Sequence, residues 1–143
     1  MNNIELQVKH SGTVDRTRVA EGGRGTLLAI EEKQLPFVIR RVYTISGVSD
    51  AGALRGEHAH KKTDQALFVV QGALTLHLDD GTTAQAIRLT SEDSGIRLGP
   101  LLWHSMSDLT TDCVALIAAS LPYDGSDYIR EYDAFKTYVG TIQ

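Results

Sequence analysis

The chain of 143 residues has a single cysteine, Cys113, so no intrachain disulfide can form. Its neighbours, CVALIAA, are apolar, and the residue reads as a buried core thiol rather than a nucleophile. No run approaches the roughly 20 consecutive apolar residues that a membrane span needs. The opening MNNIELQVKH lacks a charged stretch leading into an apolar core, which argues against a signal peptide and makes the cytoplasm the expected location. Positive charge is also in deficit. The 14 Lys and Arg stand against 18 Asp and Glu, a net −4 that excludes a general nucleic-acid-binding face but is compatible with a local basic pocket around a phosphate. No linker, low-complexity tract or internal repeat divides the chain, so one domain over residues 1–143 is expected.

What is present is a series of short apolar stretches punctuated by thirteen glycines and three prolines, the pattern of many short strands. GTLLAIEE (25–32) and FVIRRVYTIS (37–46) read as strands, the second alternating and β-branched. QALFVVQG (65–72) and ALTLHLDDG (73–81) read as hairpin arms about Gln71–Gly72, with Leu74, Leu76 and Leu78 on one face. Asp80–Gly81 marks a turn into TTAQAIRLT (82–90), and GIRLGP (95–100) and CVALIAAS (113–120) continue the series. One helix is expected in SDYIREYDAFKTYVG (126–140), where Ile129, Tyr132, Phe135 and Val139 recur at helical spacing. Ser126 or Asp127 would cap it and Gly140 would end it. Tyr128, Tyr132 and Phe135 read as its packing face. Seven or more strands and one C-terminal helix imply an all-β closed barrel or two-sheet jelly roll, an architecture that often holds a ligand between its walls.

The chemistry-bearing residues are few. RGEHAHKKTDQ (55–65) contains two of the five histidines. In a strand, His58 and His60 point to the same face. Gln65 and Gly72 follow, and GPLLWHSMSD (99–108) later supplies Pro100, Trp103 and His104. His10 and His77 have no such context: His10 reads as a surface residue and His77 falls on the strand face opposite the leucines, toward solvent. On spacing alone, three imidazoles and an amide could bind a divalent metal or leave it out with equal ease.

These residues resemble the two motifs of the small cupins, jelly-roll β-barrels in which two His, a Glu and a later His form a metal shell. Here Gln65 stands where that Glu is expected, so the anionic ligand is missing. RGTLLAIEE (24–32), LPFVIRRVYTI (35–45), RGEHAHKKTDQAL (55–67), LDDG (78–81), GPLLWHSM (99–106), DCVALIAAS (112–120) and YDGSDYIREYDAF (123–135) together resemble the nucleotide-sugar 3,4-ketoisomerases. Glu57 and Ser105 depart from that family's pattern. The resemblance implies a metal-independent enzyme with no cofactor, acting on a dTDP-linked 4-keto-6-deoxy sugar. A base removes the C3 proton, an enediol or enediolate forms, a proton returns to C4, and the carbonyl ends at C3.

On that reading the carbon base is His60 and its partner is His58, imidazole being the side chain whose pKa suits such work. Tyr43 and Arg55 are candidates to orient the sugar oxygens. Arg41, two residues from Tyr43 on one strand, and Arg24 are candidates for the diphosphate. Gln65, His104 and Trp103 complete the expected binding set, Trp103 stacking on the thymine, walling the sugar pocket or packing as a core aromatic. Lys61 and Lys62 read as surface residues. The competing readings are a 3,5-epimerase-like enzyme on the same substrate, a metal-dependent cupin, and a non-catalytic sugar-binding cupin. A homodimer with exchanged N-terminal strands is expected, since exchange removes exposed sheet edges; no nucleic acid or membrane partner is.

Overall fold

The computed structural model describes residues 4–142. It contains twelve strands and one α-helix in the order β1 (Ser11–Val14), β2 (Thr17–Ala20), β3 (Thr26–Ala29), β4 (Arg41–Ser46), β5 (Arg55–His60), β6 (Gln65–Gln71), β7 (Ala73–Asp79), β8 (Ala84–Thr90), β9 (Gly95–Leu98), β10 (Trp103–Ser107), β11 (Val114–Ala119), β12 (Tyr128–Ile129) and α1 (Tyr132–Ile142). Two five-stranded sheets face one another, ordered β1-β9-β6-β11-β4 and β12-β5-β10-β7-β8, with β2–β3 as a separate two-stranded sheet. This is the expected all-β sandwich with one C-terminal helix. No helix among the described residues is long and apolar enough to cross a membrane.

The period-2 pattern explains which face is buried. In β7, Leu74, Leu76 and Leu78 are at most 1% exposed, while Thr75 and His77 alternate outward. They meet Leu67 and Val69 of β6, Ile96 and Leu98 of β9 and Ile117 of β11 in one core that also contains Cys113. Burying each such aliphatic side chain is worth about 1.5–3 kcal/mol. His77 is half-buried rather than free in solvent, because its Nε2 meets Ser107 Oγ at 2.7 Å.

The turns fall where their residues demand. Gly72 has φ +73 between β6 and β7, and a Cβ there would come within 2.8 Å of Cys113 Cα. Asp80 closes the β7–β8 turn by accepting from the Thr82 and Thr83 amides, and it also anchors the N-terminal segment by accepting from Lys9 N–H at 2.8 Å.

Several expected boundaries shift. The segment before β4 is not strand: Phe37 and Ile39 lie across the outer face of the first sheet against Ala66, Phe68 and Ala118. The helix begins at Tyr132, because Gly125–Asp127 form a 3-10 turn and Tyr128–Ile129 pair with His60 and Ala59 of β5. It also runs through Gly140 to Ile142. Strand β1 pairs with β9 in the register Ser11↔Leu98 to Val14↔Gly95, with Val14 buried. The element hydrogen-bonded to neither main sheet is the β2–β3 hairpin.

Candidate active site

Between the two sheets lies a cavity of about 340 Å³, within the usual size range of small-molecule sites. Alternation along β4 turns Arg41, Tyr43 and Ile45 inward and leaves Val42 exposed on the other face. From the opposite sheet β5 contributes Arg55 and His58, β10 contributes His104 and Met106, and β12 contributes Tyr128. His60 sits beneath this wall, 1% exposed, its ring 5.0 Å from that of His58 and 4.3 Å from that of Tyr128.

A bulge sets the aim of His58. His104 stands opposite His58, but Ser105 stands opposite Gly56, so Glu57 is an extra residue in β5. Gly56 and Glu57 both have positive φ, +85 and +57, a left-handed backbone that a glutamate adopts only at some cost. Glu57 and Ser105, the two departures from the family pattern, thus meet at one bulge. Glu57 is exposed, and Ser105 lines an outer groove with Trp103 rather than the cavity.

Each of the three imidazoles is held in the same way. His58 Nδ1 lies 3.1 Å from the Gly56 carbonyl, His104 Nδ1 lies 3.1 Å from the Leu102 carbonyl, and His60 Nδ1 lies 3.0 Å from Asp127 Oδ2. These partners only accept, so Nδ1 carries the proton and Nε2 the lone pair when the ring is neutral. Nε2 of both His58 and His60 is buried with no hydrogen-bond partner. Burial, reinforced by the neighbouring His60, lowers the pKa of His58 to about 4. Burial, reinforced by His58 and His60, lowers that of His104 to about 3. Burial also lowers His60, although Asp127 partly opposes it. Neutral imidazoles, able to accept a proton, are therefore the resting state.

Tyr43 donates its hydroxyl to Gln65 Oε1 at 2.6 Å, and burial followed by the neighbouring Tyr128 pushes its pKa up to about 12. Gln65 is fully buried, and its Nε2 has no partner. The Arg41 guanidinium lies over the Tyr43 ring at 5.1 Å and the Tyr123 ring at 5.8 Å, with its Nε buried and unpaired. The ligating nitrogens of His58, His60 and His104 lie within 4.8 Å of one another. This group has no carboxylate to offset a cation's charge, because Asp127 faces Nδ1 of His60 from behind.

The structure thus gathers His58, His104, Tyr43, Arg41 and Arg55 around the cavity, with His60 and Gln65 just behind. Two expected residues lie elsewhere. Trp103 belongs to the outward set of β10 and packs its ring against Tyr132 and Phe135, 5.4 and 5.7 Å away, so it clamps α1 to the sheet. Arg24 lies in the turn between β2 and β3, its side chain 86% exposed and 3.8 Å from Glu21.

Three contributors were not legible in the sequence. Tyr123 and Tyr128 line the cavity, and Asp127 is 7% exposed against His60. Helical spacing in the segment 126–140 masks all but Tyr123. The usable signal is the acidic residue inside SDYIR, far along the chain from the histidines.

Residues 11–140 match the family described as FdtA: WxcM-like, C-terminal. The chain belongs to this family. It is 48% identical over 120 residues, 83% of this chain and 86% of the relative, to the TDP-4-oxo-6-deoxy-alpha-D-glucose-3,4-oxoisomerase of Aneurinibacillus thermoaerophilus. Its fold superposes with a TM-score of 0.88 on QdtA, a sugar 3,4-ketoisomerase from Thermoanaerobacterium thermosaccharolyticum in complex with TDP, at 35% identity over 95% of this chain and 98% of that one. A His-to-Asn variant of QdtA, in complex with TDP-4-keto-6-deoxyglucose, superposes at 0.87 with 34% identity over 94% and 97% of the two chains.

Proposed function

We propose that this member of the family is a sugar-nucleotide 3,4-ketoisomerase converting dTDP-4-keto-6-deoxyglucose to a dTDP-3-keto-6-deoxyhexose without a metal. The observation that carries it is the pair of buried, partnerless Nε2 atoms on His58 and His60, two proton acceptors beside one cavity. His60 Nε2 takes the C3 proton, and its electron pair forms the C3–C4 double bond as O4 becomes an enediolate oxygen. The proton held by His60 passes to O4, and His58 Nε2 takes the proton from O3. The C3 carbonyl then forms as His58 gives that proton to C4, and both imidazoles return to neutral. Atoms and charge balance with no redox partner. Positioned acid–base groups of this kind contribute roughly 10²–10⁴-fold in rate. Tyr43 and Arg55 orient the sugar oxygens, Gln65 holds Tyr43 in place, and Arg41 meets the diphosphate, where its unpaired Nε–H finds an acceptor. His104 packs beside His58, ring centroids 4.8 Å apart, and fixes its edge.

The test is proton NMR in D₂O on chelator-dialysed enzyme with dTDP-4-keto-6-deoxyglucose. The expected result is loss of the C3 proton, deuterium at C4 and a new C3 ketone. No reaction until a divalent metal is restored, or exchange confined to C3 and C5, would replace this reading with a metal enzyme or an epimerase.

We also propose that the protein works as a homodimer. Strand β4 is an open edge, and the β2–β3 hairpin leaves Val19 45% and Leu27 50% exposed. Paired with neither main sheet, this N-terminal hairpin is the element suited to exchange with a second copy, and Arg24 at its turn would travel with it. Light scattering at micromolar concentration should give the mass of two chains. The mass of one would remove the proposal.

A further inference from the structure

Asp127 is a buried acid whose surroundings are arranged around its charge. Its Oδ1 accepts the Lys62 amide at 2.7 Å. Its Oδ2 accepts from the Thr63 hydroxyl, from the Thr63 amide at 3.3 Å and from His60 Nδ1 at 3.0 Å. Four donors on one carboxylate keep it ionised, and its pKa is lowered: burial raises it, and the hydrogen bonds from Thr63, His60 and Lys62 more than offset that. The donors come from the end of β5 and the β5–β6 connection, and the acid from the 3-10 turn before β12. The β12 pairing Tyr128↔His60, together with the bond from Lys61 N–H to the Asp127 carbonyl at 2.8 Å, ties those segments together. His58 and His104 have only a backbone carbonyl behind the ring; His60 has a full negative charge.

We propose that Asp127 is the positioning residue of the His60 base, holding the imidazole with its proton on Nδ1 and its lone pair on Nε2, and stabilising the imidazolium while that ring carries the C3 proton. Asp127 itself takes no proton at any step. It does not touch the sugar; it acts through His60. This rests on the ketoisomerase reading for the identity of the carbon proton, but not for the tautomer.

The geometry predicts what Asp127→Asn does. Two backbone amides donate to the carboxylate, Lys62 at 2.7 Å and Thr63 at 3.3 Å, so the asparagine oxygen faces the shorter bond from Lys62 and the Thr63 amide loses its acceptor. The asparagine NH₂ then occupies the place of Oδ2 and donates toward His60 Nδ1. That nitrogen must present a lone pair, and the proton moves to Nε2. The base is then blocked, at the cost of an unpaired Thr63 amide.

The experiment is ¹⁵N-histidine NMR on the full chain without substrate, followed by kinetics. In the wild type, His60 should show Nδ1–H and a bare Nε2; in Asp127→Asn the pattern should invert. The variant's kcat should fall by roughly 10²–10⁴-fold, the share a general base supplies, with KM within about threefold of the wild type. Asp127→Glu, which keeps the charge, should restore the wild-type tautomer and part of the rate. An Nε2–H tautomer in the wild type overturns the proposal even if the variants do not fold. So does an inverted tautomer with undiminished kcat. If the tautomers behave as stated but the wild type does not turn over the keto sugar, the ketoisomerase reading fails, and with it the catalytic half of this one, while the hold on the ring stands.

Discussion

Tyr43 shows how one side chain in this site serves both fold and chemistry. Its hydroxyl gives its proton to Gln65, which is fully buried, and its raised pKa keeps it a phenol at neutral pH. Tyr43→Phe leaves the amide oxygen unpaired inside the protein, at a cost of about 1–3 kcal/mol. The expected outcome is a lower urea midpoint with an unchanged m value, together with slower turnover; an unchanged midpoint would show that the bond contributes nothing to stability. Tyr43 and Arg41 were readable because strand alternation sends every second residue to one face, and the cavity lies on that face; Arg55 shares it with His58 only because the bulge at Glu57 interrupts the alternation of β5, and it was expected, like His104, from the family motifs. Asp127 was not readable, because 67 positions separate it from His60 and only the β12–β5 pairing joins them. Trp103 and His104 illustrate the same rule from both sides: adjacent residues on β10 point to opposite faces, so only one can reach the substrate.

At the scale of elements, the strands with strong apolar alternation were placed well and the irregular ones poorly. β6, β7, β8 and β11 carry continuous or alternating apolar residues that only a sheet between two layers explains. β1 and β2 are four residues each and largely polar, so their sequences carry little β signal, and β12 exists only because β5 pairs with it. The apolar spacing of Ile129, Tyr132, Phe135 and Val139 is real, since three of them cluster with Ala59 and Trp103, but its first member belongs to a strand. The bulge in β5 carries function at this scale. A Cβ on Gly56 would lie 3.1 Å from the His104 carbonyl and 3.3 Å from Ser105 Cα, at φ +85. Gly56→Ala should cost about 1–2 kcal/mol for the left-handed backbone alone, and it should push β5 from β10 between the two histidines. Lower thermal stability with a larger fall in kcat than in substrate affinity is expected. A variant as active and stable as the wild type would mean that the bulge does not aim His58.

For the molecule as a whole, three desolvated imidazoles make stability depend on pH. The unfolded chain takes protons on these groups near the ordinary value of 6.5, whereas folded His58 waits until about 4 and folded His104 until about 3. Between those values the unfolded state binds more protons, so stability falls as pH falls from 6.5 toward 3. Asp127 adds to the loss only lower down, because its folded pKa lies below the ordinary 3.8 and its stabilising charge disappears as pH drops through that folded value. The midpoint temperature should therefore decline steadily from pH 7 to pH 4, and His104→Gln should flatten the decline; a flat wild-type profile would contradict the buried neutral cluster. That cluster is also the centre of the functional account, in which His60 removes the C3 proton and His58 serves the oxygens and C4. The measurement that tests it most directly is washout of label from C3-deuterated dTDP-4-keto-6-deoxyglucose in ordinary water, with His60→Asn and His58→Asn compared under chelation. The account predicts that His60→Asn keeps the label, while His58→Asn releases it without forming the 3-keto product. Release by His60→Asn and retention by His58→Asn would contradict it.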